Sequence, residues 1–68
     1  MKGKVDWFNV KRGFGFIKSE EDGKSYFVHY SAIKREGFKK LREGQAVTFG
    51  LEDKGDGKPP VCVDVIPA

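Results

Sequence analysis

The side chains with the most chemistry to offer in this chain are rings at close, regular spacing. Arg12-Gly13-Phe14-Gly15-Phe16-Ile17 is followed a few residues later by Phe27-Val28-His29-Tyr30. Read as two strands with period 2, these runs put Phe14 and Phe16 on one face of a sheet, with Phe27 and His29 joining them from the neighbouring strand. Flat π faces in series are stacking platforms, against which a base or a sugar would lie. Gly13 and Gly15 keep the strand slim and leave both Phe faces uncovered, and Arg12 places a cation at the entrance. Ile17 and Val28 fall on the opposite parity and supply a core-facing side, so the ring face must point elsewhere. Each Phe left outside forgoes about 1.5–3 kcal/mol of burial, a cost that ligand binding would offset.

Other chemistries find little support. His29 is the only histidine and Cys62 the only cysteine, and together they give no zinc spacing. His29 reads as a stacking or hydrogen-bonding ring, and Cys62, in the last apolar run, as a small packed hydrophobe. Gly13 and Gly15 lack both a third glycine at the dinucleotide spacing and a Gly-Lys-Ser/Thr ending. The carboxylates are scattered over turns, no nucleophile and base pair up, and the chain is too small to enclose a substrate pocket, so neither catalysis nor a metal or cofactor is expected. Lys34-Arg35 and Lys39-Lys40-Arg42 form a basic loop around Phe38, diluted by Glu36 and Glu43. Within it Lys39 is the cation assigned to nucleic-acid contact.

The elements that must position these residues fit one domain spanning residues 1–68, of which 38% are hydrophobic. A domain this small buries only about 60% of the surface its unfolded chain exposes. The net charge of +3 suits a polyanionic partner without establishing one. A lone cysteine forms no internal disulfide and no apolar stretch reaches the length of a signal core or membrane span, so a cytoplasmic protein is expected. Five strands are predicted: Gly3 to Asn9, Gly13 to Ser19, Ser25 to His29, Gln45 to Glu52 and Val61 to Ile66. The first three form a meander, joined by a turn at Val10 to Arg12 and an acidic hairpin at Glu20-Glu21-Asp22-Gly23. Ser31 to Gly44 reads as a long ordered loop with one helical turn at Ser31 to Ile33, because Gly37 and the placing of Ile33, Phe38 and Leu41 argue against a longer helix. Asp53 to Pro60 has the composition of a turn. Closing around Val5, Ile17, Val28, Ile33, Val47, Phe49, Leu51, Val63 and Val65, the strands fit a small all-β, five-stranded antiparallel Greek-key barrel, with an open two-layer sandwich as the alternative.

These residues, in this order, resemble the bacterial-type cold-shock proteins. Gly3-Lys4-Val5, Trp7-Phe8-Asn9, the Arg12 to Ile17 run, Phe27 to Ile33, Glu36-Gly37-Phe38-Lys39 with Leu41, and Glu43 to Val47 carry the resemblance over residues 3 to 51. It implies an OB-fold barrel that binds single-stranded RNA and DNA by base stacking and acts as a nucleic-acid chaperone. The family's stacking surface corresponds to Trp7, Phe8, Phe14, Phe16, Phe27, His29, Tyr30 and Phe38, with Arg12 where a lysine is usual. Trp7 and Phe8 are adjacent, so both reach one face only through a bulge or twist. Asp6 stands where the family has a lysine, Ser25 where it has an acidic residue, and Tyr26 where a small β-branched residue is usual. Pro59-Pro60-Val61-Cys62 replaces the usual run of the last loop.

Two further readings remain open beside it. Arg12 to Ile17 also approaches the aromatic motif of RNA-recognition-motif domains, although that fold needs two helices and the reverse order of its aromatic strands. A barrel used for protein or oligosaccharide contact is the other. The partner expected from the resemblance is single-stranded RNA and DNA, pyrimidine-rich strands preferred, bound by a monomer.

Overall fold

The structure, a computed structural model, describes residues 1–34, 41–53, 55 and 57–67. Five strands, β1 (Lys2–Asn9), β2 (Phe14–Ser19), β3 (Ser25–His29), β4 (Ala46–Glu52) and β5 (Val61–Pro67), close into a barrel in the order β1-β2-β3-β5-β4. Every predicted strand is present, with ends within one residue of expectation. Among the described residues the one helical element is a 3-10 turn at Tyr30–Ala32, one residue earlier than expected, which leaves Ile33 free to bury itself. Among the described residues no helix is long and apolar enough to cross a membrane.

Four seams of the barrel are antiparallel and the β3–β5 seam is parallel. Closure makes one parallel seam unavoidable: strand directions cannot alternate all the way around a ring with an odd number of strands. That seam is also the thinnest, with Phe27 opposite Val61 and a bridge between Ile33 and Val65.

The interior holds Val5, Ile17, Val28, Ile33, Leu41, Val47, Phe49, Cys62 and Val65. Two expected core residues differ, and β5 supplies the reason. Between Thr48 and Gly50, β4 advances two residues while β5 advances three, from Ile66 to Val63. Asp64 is in the left-handed region at φ 50°, which a short polar side chain tolerates best. The extra residue resets the parity, so Cys62 turns inward with Val65 while Val63 is only half-buried. Leu51, opposite Cys62, is half-buried and packs against the cluster, and Leu41 joins it from the long loop.

The acidic hairpin is tied to this core by Tyr26, whose half-buried ring packs against the cluster. Its hydroxyl donates to Asp22, whose other carboxylate oxygen accepts from the Lys24 amide at 2.9 Å. The Tyr26 hydrogen bond, seconded by the amide, lowers the Asp22 pKa; the same bond raises that of the Tyr26 phenol.

Candidate nucleic-acid interface

Two rows of side chains cross the outer face of β1, β2 and β3. Trp7, Phe16, Phe27 and Val61 form one, through the pairings Trp7–Phe16, Phe16–Phe27 and Phe27–Val61; Asn9, Phe14 and His29 form the next. Trp7 reaches this face through a bulge. Val5 to Trp7 spans three residues of β1 against only two, Ile17 and Phe16, of β2, so Asp6 is the extra residue. Without it, Trp7 would follow buried Val5 into the core by strict alternation; with it, the indole stands opposite Phe16 and is 40% exposed.

The four rings close on one another. Trp7 contacts Phe14 at 5.8 Å between centroids and Phe16 at 5.4 Å, while Phe27 contacts Phe14 at 5.7 Å and Phe16 at 6.0 Å. Their mutual contacts hold the three half-buried Phe rings in place yet leave each partly open to a ligand. Beside them His29 and Tyr30 make a second ring pair at 4.5 Å. Ser31 fixes the imidazole: its amide donates to His29 Nδ1 at 3.3 Å and its hydroxyl oxygen lies 2.8 Å away. With Nδ1 accepting, the neutral ring carries its proton on Nε2.

Phe8 is placed differently from the other predicted rings. It stands opposite Gly15, half-buried, against the core cluster. A methyl group on Gly15 would collide with the Trp7 carbonyl oxygen and come within 2.7 Å of Phe8 Cα. The glycine therefore lets β1 ride close over β2. Gly13, at φ 76°, likewise gives room to Tyr30, whose ring carbon would lie 2.7 Å from an added methyl. The two glycines thus act through neighbouring chain and ring, and the Phe faces are bared by strand parity.

Arg12 is exposed in the turn between β1 and β2, at the Phe14 end of the wall. Asn9 shapes that turn. Its side-chain oxygen accepts from the Arg12 amide at 3.0 Å and its carbonyl from the Gly13 amide at 2.8 Å. Asn9 and Ser31 are the positioning residues that ring spacing did not single out; an Asn before a turn and a Ser two residues beyond a His were the available signals. Phe38 and Lys39 lie outside the described residues. At the thin β3–β5 seam, Phe27 and His29 continue into a cleft of about 310 Å³ whose far wall includes Val61, Glu52 and Asp64.

Among the described residues no three His, Cys, Asp or Glu side chains group as metal ligands. Burial raises the Cys62 thiol pKa to about 12, which keeps it protonated at neutral pH.

A closed five-stranded barrel of this strand order, with an exposed ring wall on its three-stranded meander, is an OB-fold barrel. The chain belongs to the cold-shock domain family: the model of the 'Cold-shock' DNA-binding domain matches residues 1–66. It is 53% identical to a cold shock-like protein CspC of Bacillus cereus over 66 residues, 97% of each chain. It is 48% identical to a cold shock-like protein of Thermotoga maritima over 66 residues, 97% of this chain and 98% of the relative. A glycine-rich protein 2 of Nicotiana sylvestris is 49% identical over 64 residues, 94% of this chain but 29% of that protein. Its function is accordingly nucleic-acid binding of the cold-shock type.

Proposed function

We infer that the protein holds single-stranded RNA and DNA by stacking unpaired bases on Trp7, Phe14, Phe16 and Phe27, with His29 and Tyr30 continuing the platform and Arg12 drawing in the backbone. Phe38 and Lys39 are assigned to the same bound strand, and Phe8 supports the platform from beneath. The protein acts as a monomeric cytoplasmic chaperone that keeps strands unpaired, favours pyrimidine-rich sequence and performs no catalysis. The observation that carries this reading is the closed set of four ring contacts on an outer barrel face. Stacking of this kind tolerates sequence, since every base has a π face.

Trp7 is the chain's only tryptophan, so its fluorescence reports on the wall directly. Titration with a pyrimidine-rich single strand is expected to quench it, and duplex of equal length to leave it nearly unchanged. Equal quenching by duplex would remove the stacking reading, and no response to either would favour a protein or oligosaccharide ligand.

Asp6 supports a second test. Exposed in the bulge beside Trp7, it puts a carboxylate where a bound strand would pass. Asp6→Lys is expected to tighten binding and steepen the plot of log K against log salt by about 0.7, the value for one added phosphate contact on a single strand. Unchanged affinity and slope in a folded variant would move the phosphate path away from β1.

A further inference from the structure

Beyond the ring wall, the barrel's outer face carries a third row that no ring belongs to. Ala46 of β4, Lys4 of β1, Lys18 of β2 and Ser25 of β3 stand side by side through the pairings Lys4–Ala46, Lys4–Lys18 and Lys18–Ser25. The parity is unambiguous: Gly3 and Ser19 on one side, and Val5 and Ile17 on the other, are cross-strand pairs buried inward, so both lysines project outward and both are exposed. Lys18 lies two residues along β2 from Phe16, so this row adjoins the wall at a distance of roughly 7 Å, two strand residues.

Two like charges directly opposite each other across an antiparallel pair destabilise the sheet. Here the flanking positions do nothing to relieve them, since Ala46 and Ser25 are uncharged. The salt bridge of the barrel joins Lys34 and Asp64, elsewhere on its surface, and among the described residues neither Lys4 nor Lys18 has a carboxylate within pairing distance. Nearby acids bound the row without filling it. Asp6 sits in the bulge between Lys4 and Trp7. At the other end the Glu20 amide bonds the Lys2 carbonyl at 2.9 Å, bringing the acidic turn beside Lys2 and ending the cationic stretch. An uncompensated lysine pair, continuous with a stacking wall and fenced by acids, is complementary to an anion that arrives with the ligand.

We propose that Lys4 and Lys18 form a phosphate clamp, engaging the backbone of a single strand as it leaves the Trp7–Phe16–Phe27 row toward the acidic hairpin. The clamp rests on the stacking reading above and deepens it. The clamp lengthens the bound segment past the rings and adds backbone attraction without sequence preference, since a phosphate contact carries no base information.

The test combines Lys4→Ala, Lys18→Ala and the double variant with oligothymidines of increasing length. On strands long enough to pass the wall, each single variant is expected to lower the slope of log K against log salt by about 0.7 and the double variant by about 1.4. On the shortest strands that still quench Trp7, the variants are expected to bind as the parent does. The thermal midpoint should hold or rise in all three, because a repulsive pair is relieved; a purely structural role would lower it. With a methylphosphonate oligothymidine, which keeps the bases and loses the charge, parent and double variant should bind alike. An unchanged salt slope in the double variant, with Trp7 quenching intact, overturns the clamp and leaves the stacking reading standing. Absence of Trp7 quenching by any single strand overturns the stacking reading, and the clamp with it.

Discussion

Ile17→Ala is expected to cost about 2–5 kcal/mol of folding stability, the range for trimming a fully buried aliphatic side chain to a methyl group. Ile17 has no exposed surface and lies between Val5 of β1 and Tyr26 of β3. Its β-branched side chain sits in a barrel only five strands around, so little can move in to fill the space. At the usual 0.05–0.15 kcal/mol per residue, a chain of 68 residues has roughly 3–10 kcal/mol to lose. The variant therefore stands at the edge of folding, with a midpoint lowered by roughly 8–40 °C in a melt followed by circular dichroism. Phe27→Ala is the internal comparison. It gives up ring contacts with Phe14 and Phe16, each worth about 0.5–1.5 kcal/mol beyond the area they bury, but opens no closed cavity. It should fold cooperatively. A melt in which Phe27→Ala unfolds and Ile17→Ala does not would mean that the two faces of β2 and β3 had been assigned in reverse.

That assignment was legible in the sequence because β2 and β3 are regular. Phe14, Phe16 and Phe27 against Ile17 and Val28 obey period 2 without interruption, and the register places Phe16 on Phe27 and Phe14 on His29. Where the sequence misled, an extra residue had broken the count. In β5, alternation back from Val65 selects Val63 for the core, whereas the left-handed turn at Asp64 hands the place to Cys62. No propensity marks Asp64 as a bulge, since Asp is also an ordinary exposed strand residue; the need arises from pairing with β4, which a single strand does not reveal. In β1 the need for a bulge was visible, because Trp7 and Phe8 are adjacent, but its outcome was not. The chain uses it to send Trp7 outward and keep Phe8 against the core. The glycines teach the same lesson. Gly13 and Gly15 looked like gaps beside the Phe rings, and what they accommodate comes from elsewhere in the chain, the Tyr30 ring and the β1 backbone. Contacts between distant segments set their role.

The largest effects on binding are expected at Phe16 and Phe27. Each variant, Phe16→Ala or Phe27→Ala, should weaken the hold on a pyrimidine-rich single strand by about 1–3 kcal/mol, the usual loss for one stacked base, or roughly 5- to 150-fold in Kd. Both residues belong to the row that Trp7 opens, and both are half-buried, so the wild-type rings are held ready before a base arrives and little ordering cost offsets the stacking. Their contact at 6.0 Å makes the two sites interdependent, and the double variant should lose less than the sum of the single losses. Phe8→Ala separates stacking from support. Because Phe8 packs against the core cluster, its loss should lower the melting midpoint more than the affinity measured well below that midpoint. Isothermal titration of the three variants at one salt concentration, paired with their melts, checks the pattern. If Phe8→Ala loses as much affinity as Phe27→Ala while melting like the parent, the ligand reaches a face of the barrel other than the Trp7–Phe16–Phe27 row.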